Sequence, residues 1–348
     1  MAGSGLAATL AGCGYRPGAG DIRWQELRSF IGDVASRGTI GDAVVTVTES
    51  MSFGPEWGSN GRITAHAIDS GRTVLDGSLS DPLERAAIGE DSVAIVAGRT
   101  VAEYGLDGRR WDRSIETSVD GLAVSDGDVL VLTSEGVLLA LSDGTERWRR
   151  DLEVEASASA PVGRPAAGDG AVVCALADRL VCFSSTGTRR WTRSGISPRR
   201  VQVEDRLVFV EGDFATTVLD LETGERQFGL SAEVEAVTST TDGIYCLTRE
   251  SLIAVDRSGT RRWERSAADI AGYENYQDVG TVDFDDRVAA DAEAVFVTAS
   301  DELFSLGPGD GSERWRVSNE DITDGPFCTG RYVVVLNGDE MSCHHREH

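Results

Sequence analysis

The most informative feature of the sequence is a pattern of short alternating segments that recurs along the whole chain. Its clearest copy predicts four strands, at residues 236–241, 243–248, 251–256 and 260–266. Each segment alternates or is rich in β-branched residues, and each is bounded by Gly, Asp or Ser, as expected of an antiparallel meander. Residues 23–37 can be fitted to a helix, but the repeat assigns Trp24 to a strand. The pattern therefore predicts an all-β chain.

A short phrase marks the last strand of each unit, in which a glycine is followed three or four residues later by a large apolar side chain. Its clearest copy is Gly259-Thr260-Arg261-Arg262-Trp263. The apolar end of the phrase falls at positions separated mostly by 35 to 43 residues, namely Trp24, Leu75, Trp111, Trp148, Trp191, Phe228, Trp263 and Trp315. A period of this size with short strands predicts a propeller or another closed array.

The units also predict how the array closes. Seven units are complete, and residues 332–336 and 340–343 then supply two more strands without a closing phrase. The missing strand is predicted at residues 21–27, so that a strand from the N-terminus joins the C-terminal blade. We therefore predict an eight-bladed β-propeller of four-stranded antiparallel blades, with residues 21–348 as one domain after a truncated lipoprotein-type signal and tether at residues 1–20.

The repeat resembles the PQQ-like β-propeller family, which is named for quinoprotein dehydrogenases and includes an eight-bladed outer-membrane assembly lipoprotein. The family phrase is roughly Leu-x-Ala-Leu-Asp-x-x-Thr-Gly-x-x-x-Trp, and it is seen here at residues 218–224 and 252–259. The resemblance covers nearly the whole chain after Gly20. It implies the fold, but the repeated residues encode packing and imply no particular activity.

Each part of the phrase has a physical role in a blade. The glycine supplies a positive-φ turn between the third and fourth strands, and the aromatic ring can wedge between neighbouring blades. Arg147 and Arg149 flank Trp148, so a two-residue period turns the ring inward and both charges outward, which protects the edge strand. We assign blade packing to Trp24, Trp111, Trp148, Trp191, Phe228, Trp263 and Trp315.

The charge balance excludes some partners. The formal net charge is −25, with 58 acidic residues against 33 basic ones, and every basic residue is arginine. Such a surface repels nucleic-acid phosphates and anionic lipid headgroups. The composition resembles that of proteins from extreme halophiles and favours a haloarchaeal origin; the alternative is an acidic secreted protein of a mesophile.

The N-terminus has features of an export signal. A short apolar run at residues 5–10 is followed by Leu10-Ala11-Gly12-Cys13, which matches the site where lipoproteins are cleaved and lipidated. No arginine precedes Tyr15, so either the signal begins upstream or the match is accidental. The first alternative predicts lipid attachment at Cys13 and a location on the extracellular side of the cell membrane. No later segment has the 18 apolar residues of a membrane span, so a lipid anchor is the expected membrane contact.

The remaining cysteines and histidines predict no metal site. Cys174 and Cys182 lie symmetrically about Asp178 in a predicted hairpin, where they could form a bridge or remain free thiols. The terminal residues 344–348 hold three histidines that could chelate a transition metal, but a solvated tail is the preferred interpretation because no third fixed ligand is evident.

Three classes of function remain. The first is a non-catalytic scaffold that binds a protein partner or a small ligand. The second, implied by the resemblance, is a dehydrogenase using PQQ and calcium, but those enzymes have a vicinal cysteine pair and here no two cysteines are adjacent. The third is a propeller hydrolase or lyase, for which His66 and the three terminal histidines offer little acid–base chemistry. We predict a monomeric scaffold with no catalytic residue and no cofactor.

Two insertions predict the working surface. Residues 50–61 and 267–286 interrupt the repeat at connections that emerge on the same face of a meander propeller. Exposed aromatic side chains on loops are favoured anchors in binding sites. The alternative is that these side chains fold back to plug their own face or the channel. The predicted contacts are Phe53, Trp57, Tyr273 and Tyr276, with polar support from Glu274, Asn275 and Gln277.

Overall fold

The computed structural model describes residues 19–27, 34–51, 59–153, 164–271, 284–318, 322–337 and 340–346. The first half of the described chain forms β1 (Ile22–Leu27), β2 (Val34–Ile40), β3 (Ala43–Met51), β4 (Ser59–Ala67), β5 (Thr73–Ser78), β6 (Leu83–Ile88), β7 (Val93–Ala97), β8 (Thr100–Gly105), β9 (Gly108–Ser114), β10 (Val119–Ser125), β11 (Asp128–Thr133), β12 (Val137–Ser142), β13 (Thr145–Asp151), β14 (Ala166–Gly168), β15 (Ala171–Leu176), β16 (Arg179–Ser184) and β17 (Arg189–Ser194).

The second half forms fifteen further strands and one short helix. These are β18 (Arg200–Glu204), β19 (Leu207–Glu211), β20 (Thr216–Asp220), β21 (Arg226–Leu230), β22 (Ala236–Ser239), β23 (Ile244–Leu247), β24 (Ser251–Val255), β25 (Arg261–Ser266), α1 (Ala267–Ala271), β26 (Phe284–Ala290), β27 (Val295–Ala299), β28 (Glu302–Leu306), β29 (Glu313–Ser318), β30 (Ile322–Thr329), β31 (Tyr332–Asn337) and β32 (Glu340–His345).

These strands form eight antiparallel sheets of four strands, which are the blades of a propeller. Blades 1 to 7 take four consecutive strands each, beginning with β2, β6, β10, β14, β18, β22 and β26. Blade 8 has the order β1-β32-β31-β30, and its β1 pairs with β32 from Leu27 opposite Glu340 to Ile22 opposite His344. The predicted fold is therefore confirmed, including closure of the ring by the N-terminal strand.

The core lies between neighbouring blades. The second strands, such as β11, β15 and β27, are buried along their whole length, because a neighbouring blade covers each face of the sheet. Their sequences are therefore continuous apolar runs, whereas outer strands such as β9 alternate between half-buried and exposed residues. Burial of this apolar surface, at about 25 cal/mol per Å², is the main force that holds the ring together.

The second insertion is shorter than the sequence predicts. Its first residues form α1, a short helix that the sequence analysis did not predict, and Ala267 and Ile270 of this helix are buried between blades 6 and 7. Phe284 also lies outside the insertion, because it pairs with Ala299 and is buried in the same cluster. The pairing of this strand is interrupted by a bulge between Phe284 and Val288.

The hairpin cysteines lie on opposite faces of blade 4. Val173 pairs with Cys182, and Cys174 pairs with Val181. Successive side chains of a strand point to opposite faces of the sheet, so the two thiols lie on opposite sides of blade 4. Cys174 packs toward blade 3 and Cys182 toward blade 5. Both are free thiols, and burial raises the pKa of each to about 12. Of the two alternatives left open by the sequence, the structure supports free thiols.

The C-terminal histidines also differ from the expectation. His344 is fully buried in β32, and its Nδ1 lies 2.9 Å from the carbonyl oxygen of Gly20. The interpretation of residues 344–346 as a solvated tail is therefore wrong, because β32 is enclosed between β31 and β1. The described residues contain no cluster of three or more side chains suited to hold a metal ion. The same part of the chain contains no helix with the length and hydrophobicity of a membrane span.

Candidate functional site

The strand order divides the connections between two faces of the ring. One face carries the connections between successive blades and those between the second and third strands of each blade, and we call it the loop face. The turn face carries the connections from first to second strand and from third to fourth. Residues 52–58 connect β3 to β4, and residues 272–283 follow α1 and lead to β26, so both predicted insertions connect strand ends on the loop face.

The predicted contact residues themselves lie outside the described part of the chain. The seven side chains assigned to partner binding fall in these two segments: Phe53, Trp57, Tyr273, Glu274, Asn275, Tyr276 and Gln277. Cys13, the predicted lipid attachment site, also lies outside the described residues. These assignments stay predictions.

The turn face is occupied by the joints between blades. In blade 3 the Trp148 indole N–H donates to the carbonyl oxygen of Ser185 in blade 4, at 2.8 Å. The glycine of the next repeat, Gly187, has φ 75°, and a Cβ added to it would lie 2.6 Å from the Trp148 ring. Glycine is required there because the backbone is left-handed and the ring leaves no room for a side chain. Each phrase therefore contacts the preceding blade through its glycine and the following blade through its aromatic ring.

The same joint recurs around most of the ring. An indole N–H donates to a main-chain oxygen of the next blade at 2.6 to 3.2 Å in four further pairs, which are Trp24 with Ile68, Trp191 with Leu221, Trp263 with Pro308, and Trp315 with Arg346. Phe228 packs on Gly259 without an N–H to donate. Blade 2 differs, because the Trp111 indole donates to Glu103 of its own blade. The repeated aromatic residues thus serve packing, and they leave the loop face as the candidate binding surface.

One residue of the loop face stands out by exposure. Phe214 lies in the turn between β19 and β20 of blade 5, and 86% of its surface is open to solvent. The other exposed large hydrophobic residue in the described ranges is Ile22, at 53% on outer strand β1. Single exposed apolar residues are common on protein surfaces, so the exposure of Phe214 makes it a candidate contact whose role a variant must test.

The turn that carries Phe214 is held on both sides. Within it, the Gly212 N–H donates to the carbonyl oxygen of Ala215 at 2.9 Å. The buried hydroxyl of Thr216 donates to the Ala232 carbonyl at 2.9 Å and accepts from the Val234 N–H at 3.1 Å, which fixes the connection between blades 5 and 6. Such an anchor loses little conformational entropy when it binds, so it suits recognition.

Charged side chains border this turn. Arg199 lies 3.9 Å from Glu233, and Arg200 lies 3.6 Å from Glu211. Arg199, Arg200 and Glu233 are exposed, whereas Glu211 is mostly buried. Surface ion pairs of this kind stabilise a fold by at most about 1 kcal/mol each. An apolar anchor inside a polar border is the usual anatomy of a protein interface.

Sequence reasoning missed Phe214 because it sought contact residues in the two long insertions, whereas residues 212–215 form a short turn between β19 and β20. The available signal was local: a large aromatic residue follows Gly212-Asp213 in a position where turns carry Gly, Asn, Asp or Ser. The prediction instead selected the Trp and Tyr residues of the two longer insertions, which belong to the same face.

Buried ionisable groups have structural partners. Burial raises the pKa of Glu204, which accepts hydrogen bonds from the Ser239 N–H at 2.9 Å and from its hydroxyl at 2.7 Å, and thereby links the inner strands of blades 5 and 6. His66 is buried, with Nδ1 3.3 Å from the Gly71 carbonyl oxygen.

Comparison with known proteins agrees with this architecture. BamB from Moraxella catarrhalis is 14% identical, with a TM-score of 0.59 over 92% of this chain and 100% of that one. The computationally designed Ika8 protein is 15% identical, with a TM-score of 0.65 over 92% and 100%. Saccharomyces cerevisiae Sqt1 is 9% identical, with a TM-score of 0.63 over 95% and 99%. At these identities the likeness shows the propeller fold alone.

Sequence comparison is more specific. No curated protein matches the chain. The model of the PQQ-like repeat family described as outer membrane protein assembly factor BamB matches residues 100–242 and 248–344. Since the match covers more than half of the chain, the protein belongs to this BamB-like family of PQQ-repeat propellers.

Proposed function

We propose that this protein is a non-catalytic, lipid-anchored propeller of the cell surface that binds a protein partner through its loop face. The family is described as an outer membrane protein assembly factor, which is a role exerted on other proteins. The structural neighbours include BamB and the WD40 propeller domain of Doa1, so the shared architecture is one that presents loops from a rigid ring.

The observation that carries this proposal is the exposed ring of Phe214 on a firmly held turn of the loop face. Buried aromatic anchors supply much of the energy of protein interfaces, and a single anchor can contribute 2 kcal/mol or more. Phe53, Trp57, Tyr273 and Tyr276 are proposed as further anchors from the insertions of the same face. Glu274, Asn275 and Gln277 are proposed as their polar support.

Partner capture with matched variants tests the loop face. The partner is first identified by crosslinking in the native cell, and its affinity for the purified propeller is then measured. Phe214→Ala should weaken binding by about thirtyfold, the change expected for the loss of about 2 kcal/mol. Ile22→Ala is the matched control, because it removes the other exposed large apolar side chain from an outer strand and should leave the affinity unchanged. A folded Phe214→Ala variant with parental affinity would remove Phe214 from the site.

A second variant tests the insertions. The triple change Trp57→Ala, Tyr273→Ala and Tyr276→Ala should leave a folded protein that no longer captures the partner. If a folded triple variant captures the partner at parental strength, these segments do not form the site. The two tests are separate, because one can fail while the other succeeds.

The anchor and the absence of catalysis have their own tests. Cys13→Ser should release the protein from the membrane fraction of the native cell, while unchanged membrane association would contradict lipid attachment. Incubation with PQQ and calcium should give neither a thermal shift nor dye-linked oxidation of alcohols or sugars. Tight binding that confers activity would overturn the scaffold function.

A further inference from the structure

A pocket of about 240 Å³ lies at the joint between blades 7 and 8. It belongs to the turn face, because Glu293 of its rim lies in the turn between β26 and β27. Its lining combines the aromatic rings of Phe296 and Trp315 with three polar residues, Glu293, Ser305 and Arg314. A concave site with an apolar floor and a few polar groups is the usual form of a ligand pocket. Pockets for drug-sized molecules begin at about 300 Å³, so this one suits a smaller molecule.

The pocket lies where the two chain ends meet. In blades 1 to 7 a turn joins the third strand to the fourth, whereas in blade 8 these two strands are β32 and β1. The Trp315 indole N–H therefore donates to the carbonyl oxygen of Arg346, at 3.2 Å, and a Cβ added to Gly20 would lie 3.5 Å from the same ring. Arg346 and Ala19 both line the pocket. This joint thus has two chain ends where the other joints have one closed turn.

The aromatic floor of the pocket is held by contacts within and between blades. Phe296 pairs with Ser305, and Ser305 pairs with Trp315, so the three residues form one row across β27, β28 and β29. Side chains of directly paired residues share a face of the sheet. The two ring centres are 5.8 Å apart, and the Arg346 guanidinium lies 5.2 Å from the centre of the Phe296 ring. Because Arg346 also forms an ion pair with Asp291, the floor is preformed.

The Ser305 hydroxyl lacks a partner in this row. The residue is fully buried, and its Oγ accepts or donates no hydrogen bond among the described residues. At the same position of the third strand, opposite the aromatic or apolar end of the phrase, six blades have apolar or thiol side chains, namely Ala65, Ala140, Cys182, Val218, Ala254 and Cys343. Blade 2 has Glu103, which accepts hydrogen bonds from Arg110 and Trp111. Since an unpaired buried hydroxyl lowers stability, a molecule bound in the pocket accounts for Ser305.

Arg314 supplies a positive charge at the rim of the pocket. Its side chain is exposed and has no hydrogen bond or ion pair with any described residue. At the same position of the fourth strand, the arginines of four other blades donate to residues at or beside the turn between the first and second strands, namely Arg110 to Asp91, Arg147 to Asp128, Arg190 to Gly170 and Arg262 to Asp242. The pKa of Asp310 is lowered first by hydrogen bonds from Ser312, at 3.0 and 2.8 Å, and last by the charge of Arg314. The donors of Arg314 therefore remain available to a ligand.

We propose that this pocket binds a small zwitterion of the α-amino acid type with an apolar side chain. The carboxylate of the ligand lies between Arg314 and the Ser305 hydroxyl, its ammonium group faces Glu293, and its side chain packs on Trp315. A carboxylate forms charge-assisted hydrogen bonds with a guanidinium. Arg314 and Glu293 place opposite charges on the same pocket, so an anion alone or a cation alone meets one repulsive group. The site lies on the turn face and is independent of the loop-face function proposed above.

Calorimetric titration of the purified protein with L-leucine tests this site. Two matched compounds accompany it: 4-methylpentanoate lacks the ammonium group, and 3-methylbutan-1-amine lacks the carboxylate. The parent should bind one L-leucine per chain, and each matched compound should bind about tenfold more weakly or worse, because each loses a charge-assisted contact. Arg314→Gln should weaken the binding of L-leucine by about tenfold or more for the same reason. Arg190→Gln is the matched control, because it changes the same strand position in blade 4 and should bind as the parent does.

Ser305→Ala distinguishes a ligand site from a structural role. Without ligand, removal of the unpaired hydroxyl should leave the melting temperature at or above the parental value. The same variant should bind L-leucine about threefold to tenfold more weakly, as expected for the loss of one hydrogen bond. L-leucine should raise the melting temperature of the parent and of Arg190→Gln more than that of Arg314→Gln.

Four results would overturn the proposal. The first is the absence of saturable L-leucine binding, which is expected if the pocket holds only water. The second is an Arg314→Gln variant that binds as the parent does. The third is binding of 4-methylpentanoate as tight as that of L-leucine, which would show an anion site in which Glu293 has no role. The fourth is a Ser305→Ala melting temperature well below the parental one, which would show that the hydroxyl is structural.

Discussion

The joint between blades 3 and 4 allows the packing role of the repeated phrase to be measured with a matched pair of substitutions. Gly187 and Gly127 have nearly the same backbone conformation, with φ of 75° and 76°. A Cβ at Gly127 would have nothing within 4 Å, whereas a Cβ at Gly187 would lie 2.6 Å from the Trp148 ring. Alanine at the two sites therefore differs by one contact between blades.

The magnitudes follow from that difference. Gly127→Ala should lower the free energy of unfolding by about 1–2 kcal/mol, the cost of placing a side chain in the left-handed region. Gly187→Ala carries the same cost and must also displace the Trp148 ring, which adds about 1–3 kcal/mol of overpacking. Displacement of the ring also weakens the 2.8 Å hydrogen bond to the Ser185 carbonyl. The expected total at Gly187 is about 2–5 kcal/mol.

Denaturant unfolding of the parent, Gly187→Ala, Trp148→Leu and the double variant forms a double-mutant cycle that measures this contact. In a Trp148→Leu background the ring is absent, so Gly187→Ala should cost only as much as Gly127→Ala does in the parent. The difference is the coupling between glycine and ring. Equal losses for Gly187→Ala and Gly127→Ala in the parent would refute the joint as a determinant of stability.

Three further predictions concern closure, salt and pH. Deletion of residues 14–28 removes β1 and should lower thermal stability sharply and promote aggregation, because blade 8 then exposes an edge; deletion of residues 1–18, which retains β1, is the control and should melt like the parent. The melting temperature should rise steadily from dilute buffer to molar KCl, because ions screen the repulsion among charges that sum to −25, and a flat profile would contradict a halophilic origin. Burial lowers the pKa of His344, so the unfolded chain binds a proton that the folded chain excludes. The free energy of unfolding should therefore be independent of this proton above about pH 6.5, the ordinary histidine pKa, and should decline as the pH falls below it. His344→Gln should flatten that decline between pH 7 and 5.5, and an unchanged profile would assign it to other groups.

The blades could be predicted from sequence because their determinants are local and repeated. The glycine and the aromatic residue of each phrase lie three or four positions apart, and alternation and turn residues define the strands between them. Pairing of the first strand with the last followed from counting, since one blade lacked a strand that residues 21–27 could supply. The register of Trp24 opposite Cys343 agrees with that reasoning.

The remaining features depend on distant neighbours. Phe284 is preceded and followed by residues typical of a loop, and its place in a strand depends on pairing with Ala299. The free thiols of Cys174 and Cys182 follow from a register that differs by one residue from the one a bridge requires.

Site-specific photo-crosslinking in the native cell shows directly whether the loop face binds a protein partner. A photoreactive amino acid replaces Phe214 in one strain and Thr186, an exposed residue of the turn face, in another. A partner-binding loop face predicts a crosslink from position 214 to one discrete protein and none from position 186. A crosslink to that protein from position 186 with none from position 214 would contradict it.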